Sequence, residues 1–369
     1  MKSVAATSAS LARSAGQLLV AGFDGTEPSK EILALIRAGL GGVILYRKNC
    51  VDAAQVLGLS NRLQQEARAA GHAQPLLIAI DQEQGRVVRI TEGVTVFPAM
   101  GAMARVGVPG LLRRVAAATS RELLAIGVNW NLAPVADVLS VPDCPVGDRS
   151  CGTDPAQVAL AVAAFVRGAA ACGMRTCVKH FPGHGSTEKD SHVAAPRVPR
   201  SRAELEACDL VPFRAAIRAG VPAVMTAHIT YPALDPDAPA SLSDRVIGEL
   251  LRAQLGFRGV VVSDDLEMAG IAWNHPLESS AIRALSAGSD LLIVSRMLLA
   301  ERCIPGLLAD LRLAIQEKTV ATATIAAALG RVRRFKRGLS WHADPAAART
   351  VLRSPDHLAL LEEVERRAN

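Results

Sequence analysis

One unit of apolar and polar positions recurs along this chain. An amphipathic stretch ends in a glycine, a short β-branched run follows, and a polar residue closes the unit. "LALIRAGLGGVILYR" sets Gly39 before Val43–Tyr46, and "ELLAIGVNWNLAP" sets Gly127 before Val128–Leu132. "ACGMRTCVKH", "AAIRAGVPAVMTAH" and "LSAGSDLLIVSR" repeat it, with Gly173 before Arg175–Val178, Gly220 before Ala223–Ala227 and Gly288 before Leu291–Val294. Each glycine suits a helix C-terminus that needs a left-handed residue. The apolar runs are too short for helices and fit strands buried on both faces. Gln17–Ala21, Leu76–Ile80 and Val260–Val262 read the same way and bring the strands to eight. Ser201 with Glu204, ahead of Leu205, Phe213 and Ile217, carries a capping-box helix start.

Helices alternating with parallel strands define an α/β fold, and eight such strands suit a TIM (β/α)8-type barrel. The alternative is a doubly wound open sheet, which would normally carry a glycine-rich phosphate loop; no G-x-G-x-x-G follows the first strand. The segment 301–369 reads as additional C-terminal helices. The expected organisation is one catalytic barrel domain over residues 1–369, its core spanning roughly 16–300.

A barrel delivers its chemistry at the C-terminal ends of its strands. Those ends read Tyr46–Arg47, Asp81–Gln82–Glu83, Lys179–His180, His228, Ser263–Asp264–Asp265 and Ser295–Arg296. Charge scattered at random would not respect strand ends in this way, so a catalytic mouth is expected. Single residues also have plainer readings. Asp264 can cap a helix, although Ser263 or Asp265 can fill that role. Asp81 can hold a loop through Arg86 or Arg89, Arg149 can be a surface arginine, and His228 a satisfied core histidine.

Composition narrows the function classes. Half of the 369 residues are hydrophobic, enough for a large core, yet no apolar run reaches membrane-span length. The opening "MKSVAATSASLARSAGQLLV" has no compact apolar segment of the signal-peptide kind. The seven cysteines include no C-x-x-C pair, which fits buried reduced thiols and a cytoplasmic setting. The net charge of +6 is dispersed, apart from "RVRRFKRG". There Val332 and Phe335 recur at helical spacing, so a solvated helix face is expected. No nucleic-acid recognition motif accompanies the charge, and 3% aromatic content argues against a base-stacking platform.

The densest polar stretch is "KHFPGHGSTEKDSH", residues 179–192. Its three histidines are spaced like metal ligands, and His180 and His184, with His228 and Asp264, raise the possibility of a metal-dependent barrel hydrolase. However, strand one ends "AGFDG" without the His-x-His of such enzymes, and H-E-x-x-H is absent, so no metal or cofactor is expected. Without a metal the groups suit hydrolysis of a sugar acetal, which needs a carboxylate at the anomeric carbon and a proton donor at the leaving oxygen. Asp81, Arg89, Arg149, Lys179 and His180 can hold a hydroxyl-rich substrate. The residues themselves lead to a barrel enzyme for polar substrates, with a hydrolase as the favoured class.

"KHFPGHGSTEKDSH" and "GVVVSDDLEM" together resemble the family 3 glycoside hydrolases, and more closely their bacterial β-N-acetylglucosaminidase (β-N-acetylhexosaminidase) branch. Supporting motifs follow in the family's order: "GGVILYRKN", "IDQEQGRVVR", "NLAPVADV", "GDRSCGTDP", "MTAHITYPALD" and "ALSAGSDLLIV". The resemblance implies a retaining mechanism through a covalent glycosyl-enzyme. Asp264 would be the nucleophile, and His192 the general acid/base, paired with Asp190. Asp81, Arg89, Arg149, Lys179 and His180 match the family's sugar-binding positions. It also implies a small carbohydrate partner: a non-reducing N-acetylglucosamine on a fragment from peptidoglycan recycling. A non-catalytic sugar-binding relative is the other outcome such a sequence allows. Two departures stand out. Gln84 replaces a glycine, and glutamine resists backbone angles that glycine permits. Cys151 stands where an aromatic residue commonly follows "RS". Neither touches Asp264, Asp190 or His192, so activity is expected to survive.

Overall fold

The structure, a computed structural model, describes residues 7–187, 196–272, 275–295 and 303–368. Eight parallel strands close into a barrel: β1 Leu19–Ala21, β2 Gly42–Leu45, β3 Leu77–Ile80, β4 Trp130–Asn131, β5 Arg175–Phe181, β6 Ala223–Thr226, β9 Val260–Asp265 and β10 Leu291–Val294. Between β6 and β9 a two-stranded antiparallel hairpin, β7 Thr230–Tyr231 and β8 Asp235–Pro239, stands outside the barrel. Each barrel strand pairs with its successor and β10 closes on β1, so the open-sheet alternative is excluded. The five glycines of the repeat all take positive φ, from +81° at Gly173 to +108° at Gly288. Each ends a helix just before a strand, and this is why the repeat was legible.

Several boundaries differ from expectation. The first strand is shorter, because Ala15–Leu18 coils into a 3₁₀ turn where the Gln17 amide donates to Gly39 O at 2.9 Å. Both capping-box hydrogen bonds of Ser201 and Glu204 form at the start of helix Arg202–Ala207. The basic run is less solvated than predicted. Val332 and Phe335 are buried and Arg333, Arg334 and Arg337 are exposed, but Lys336 is buried as well. Its Nζ donates to Gln17 Oε1 at 2.9 Å and to Gly41 O at 2.6 Å. Phe335 meets the indole of Trp130 edge-on at 5.3 Å, and Arg175 donates to the Phe335 and Arg337 carbonyls. The end of helix Thr322–Lys336 therefore closes the N-terminal mouth of the barrel. Burial drives the Lys336 pKa down to about 7.

Two irregularities aim side chains at the opposite mouth. In β5–β6, Val178 pairs with Val224 but Phe181 pairs with Thr226, so one extra residue is inserted around Lys179–His180. In β9–β10, Val262 pairs with Leu291 but Asp265 pairs with Ile293, which inserts one around Ser263–Asp264. Such bulges break the two-residue alternation and turn a side chain away from its regular direction.

Candidate active site

At the C-terminal mouth lies a cavity of about 700 Å³. Its walls include Asp81, Arg89, Arg149, Lys179, His180 and Asp264, so six of the eight site residues read from the sequence meet there. The other two, Asp190 and His192, lie outside the described residues.

Asp81 and Glu83 are two positions apart at the end of β3, so an extended backbone puts them on one face. Buried Lys179 lies between them, its Nζ 2.7 Å from Asp81 Oδ1 and 2.5 Å from Glu83 Oε1. Arg149 grips Glu83 with two hydrogen bonds, Nε at 2.8 Å and Nη2 at 2.9 Å. Arg89 reaches Asp81 Oδ2 at 3.2 Å and lies 5.7 Å from the centre of the Tyr46 ring. The ladder Arg89–Asp81–Lys179–Glu83–Arg149 alternates in sign and has cations at both ends. The Arg89 Nε, shielded from water, has no hydrogen-bond partner among the described residues. A buried donor left open beside a cavity suits a ligand oxygen.

His180 is oriented by a residue that sequence reasoning passed over. Asp137, fully buried, lies 2.7 Å from His180 Nδ1 and accepts from the His180 and His184 backbone amides at 3.1 and 2.7 Å. With Nδ1–H donating to that carboxylate, Nε2 is the nitrogen left for the cavity. The available signal was an aspartate inside the apolar run "APVADV", which needs partners if buried. Glu83 stands in the sequence only as a strand-end group, and its i, i+2 spacing from Asp81 is the signal that the two share a face.

Asp264, next to last in β9, lines the cavity, and its Oδ1 accepts from the Asp265 amide at 2.9 Å. Asp265 lines the same cavity but is tied back by backbone amides. It accepts from the Glu267 and Ser295 amides, both at 3.1 Å, and burial pushes its acid up to about 7. The next helix starts only at Ala269, so Asp265 closes the turn after β9 rather than capping a helix, and Asp264 has no capping role there. His228 is a satisfied buried histidine, 2.8 Å from Ser241 Oγ and 2.9 Å from Asp265 O, so it braces the strand end that carries Asp264. Arg86 pairs with Asp148 rather than Asp81.

Both departures from the family pattern have local explanations. Gln84 does adopt the angle that glycine favours, φ +78°, followed by Gly85 at +63°. Its side chain compensates within the core: Nε2 donates to Thr119 Oγ1 and Oε1 accepts from Phe97 N, each at 2.9 Å. These bonds offset a strain of about 1 kcal/mol or somewhat more. Cys151 packs into the core as a small apolar side chain, its thiol pushed up to about 12 by burial.

The charges fix how stability varies with pH. Burial opposes ionisation of Asp81, Glu83 and Asp137, but Lys179, Arg89, Arg149 and His180 outweigh it and hold all three below the usual range. Their contribution is present above about pH 4 and is lost as pH falls through the lowered values. Burial opposes the Lys179 charge as well, yet Asp81 and Glu83 raise its pKa, so its contribution lasts until pH rises through that raised value. Asp265, pushed up to about 7, and Asp209, up to about 6, have the opposite sign. Their ionised forms cost stability at neutral pH, a cost relieved on acidification. Lys336 and His184, both lowered by burial, act against this relief, so denaturant midpoints are expected to rise only modestly from pH 8 to pH 5 and to fall steeply below about pH 4. A monotonic decline from pH 8 would contradict this balance.

Among the described residues, no three His, Cys, Asp or Glu side chains gather as a metal-ligand group, and no helix is long and apolar enough to cross a membrane. The N-terminal domain of glycosyl hydrolase family 3 matches residues 10–335. A β-hexosaminidase of Alkalilimnicola ehrlichii is 41% identical over 283 residues, covering 75% of this chain and 80% of that protein. The structure of a glycoside hydrolase family 3 β-N-acetylglucosaminidase from Paenibacillus sp. is similar with a TM-score of 0.90 and 38% identity, over 97% of this chain and 68% of that one. NagZ from Neisseria gonorrhoeae, solved with N-trifluoroacetyl-D-glucosamine, has a TM-score of 0.79 and 30% identity, over 95% of this chain and 98% of that one. With the barrel, the ladder of charges and Asp264 at its mouth, these similarities show that the chain belongs to glycosyl hydrolase family 3 and is a glycosidase.

Proposed function

We propose that this protein is a retaining β-N-acetylglucosaminidase, in the wider sense a β-N-acetylhexosaminidase, that removes non-reducing terminal N-acetylglucosamine. The observation that carries this reading is Asp264, aimed by a β-bulge into the cavity that also holds Asp81, Lys179, Arg89, Arg149 and His180. The charged ladder and His180 bind the sugar hydroxyls and fix the anomeric carbon against Asp264. An Asp264 oxygen attacks that carbon. The bond to the leaving oxygen breaks, and that oxygen takes its electron pair and a proton from His192. Water then adds to the anomeric carbon, returns a proton to His192 and releases the Asp264 carboxylate. Asp190, two residues before His192, favours the imidazolium, and an imidazole can give and retake a proton near neutral pH. No metal or cofactor takes part.

The ligand of the gonococcal relative, an N-acylglucosamine, supports the sugar assignment. Arg47, exposed at the rim, donates to the Arg89 carbonyl at 3.2 Å and to Thr91 Oγ1 at 3.0 Å and has no carboxylate partner among the described residues. A cation there supports an acidic leaving group, as on fragments from peptidoglycan recycling. The six described free thiols fit a cytoplasmic setting, and the helices after residue 303 fit one barrel domain with C-terminal additions.

A panel of chromogenic glycosides tests reaction and sugar together. The N-acetyl-β-glucosaminide is expected to turn over about 100-fold faster than the β-glucoside or the α-anomer, since an unmatched polar group in the site costs several kcal/mol. Equal rates across the panel, or none, would remove the assignment.

A further inference from the structure

We propose that Asp209 is a positioning residue for proton transfer: its buried carboxylate ties together the two ends of the segment that carries Asp190 and His192. The proposal rests on the reading of His192 as proton donor.

Asp209 lies between helices Arg202–Ala207 and Leu210–Arg218 and is fully buried. Its two oxygens serve opposite ends of one stretch of chain. Oδ1 accepts from Ser186 Oγ at 3.4 Å, where the chain leaves β5 and the turn at Pro182–Gly185. Oδ2 accepts from Arg200 Nη1 at 2.5 Å, where the chain returns. Gly183 lies against the same side chain, and a Cβ there would come within 2.8 Å of Asp209 Cβ. The β7 hairpin provides a second clasp. Tyr231 OH donates to Gly183 O at 2.7 Å, while Thr230 pairs with both Pro196 and Val198. The two clasps thus join residues 183–186 to residues 196–200.

A stability role alone does not account for a carboxylate here. Burial pushes Asp209 up to about 6 even though Arg200 is beside it. Its ionised form therefore costs folding stability at neutral pH, and a neutral side chain of the same shape would avoid that cost. What the charge adds is a strong, directed bond to Arg200 at one end of the segment.

The test compares kcat/KM for two N-acetyl-β-glucosaminides, a 2,4-dinitrophenyl leaving group that departs without a proton and a p-methoxyphenyl group that requires one. In Asp209→Asn the p-methoxyphenyl substrate is expected to lose about 10–100-fold, part of the range general acid catalysis supplies, and the dinitrophenyl substrate less than about 3-fold. Arg200→Gln, at the partly exposed end of the pair, is expected to show the same split if Asp209→Asn folds poorly. Equal losses on both substrates in a folded variant, or no loss on either, would overturn the proposal and leave the glycosidase reading standing. A wild type without activity on either substrate would overturn both.

Discussion

Asp264→Asn is expected to abolish turnover of the N-acetyl-β-glucosaminide, with kcat down by about 10³–10⁵-fold while the protein remains folded. The substitution keeps size and shape, and an asparagine oxygen can still accept the Asp265 amide that now bonds Asp264 Oδ1 at 2.9 Å. Thermal midpoints within about 2 °C of wild type are expected, as for a change that empties no cavity. What is lost is the negative charge that bonds to the anomeric carbon. A second variant tests the role itself. In Asp264→Gly the missing side chain leaves room for azide, which would attack the face that Asp264 attacks and leave an α-glycosyl azide. A β-azide would place the missing group on the leaving-group side, and full activity in Asp264→Asn would end the assignment. In the wild type, a slow fluorinated N-acetylglucosaminyl donor should add one sugar mass to the peptide containing Asp264.

The barrel was legible because each unit carries its own punctuation. Gly39, Gly127, Gly173, Gly220 and Gly288 mark helix ends by a backbone angle that few other residues adopt, and buried parallel strands read as near-continuous apolar runs up to their polar ends. The β7–β8 hairpin was not legible: "TYPALDPDAP" is short and proline-rich and reads as a turn, and its pairing depends on where the chain lies after β6. The bulges at Lys179–His180 and Ser263–Asp264 are pairing offsets, which no single segment encodes.

The site divides along the same line. Strand-end position brought Asp81, Lys179, His180 and Asp264 together, since a barrel places all such ends at one mouth. Which carboxylate holds which cation depends on distances across strands. Glu83 and Asp137 therefore emerged only from the structure, one as the partner of Lys179 and Arg149, the other as the acceptor that turns His180. Gln84 is instructive in another way. The sequence marked it as a departure at a glycine position, and the strain is present, but its cure lies in Thr119 and Phe97, too far along the chain for any local pattern to connect.

Lys179→Met is expected to damage the fold as well as the site, with a stability loss of about 3–5 kcal/mol, the cost of leaving buried charge uncompensated. Its ammonium sits between Asp81 and Glu83, both buried; Arg89 and Arg149 hold only their outer sides. Without Lys179 the two carboxylates repel each other across an apolar side chain, and burial, already opposed to their ionisation, raises their pKa values. The pH dependence then acquires the opposite sign. In the wild type these lowered acids contribute stability above about pH 4, whereas in the variant they would gain stability on protonation, so chemical denaturation midpoints at pH 5 should exceed those at pH 8 by a larger margin than in the wild type. Adding Glu83→Gln to Lys179→Met removes one of the stranded charges and should restore about 1–2 kcal/mol, a coupling that a double-mutant cycle measures directly. Turnover should stay low in the double variant, because the ammonium facing the sugar is still missing. Additive losses in that cycle would mean that the ladder is held by something other than the Lys179 charge.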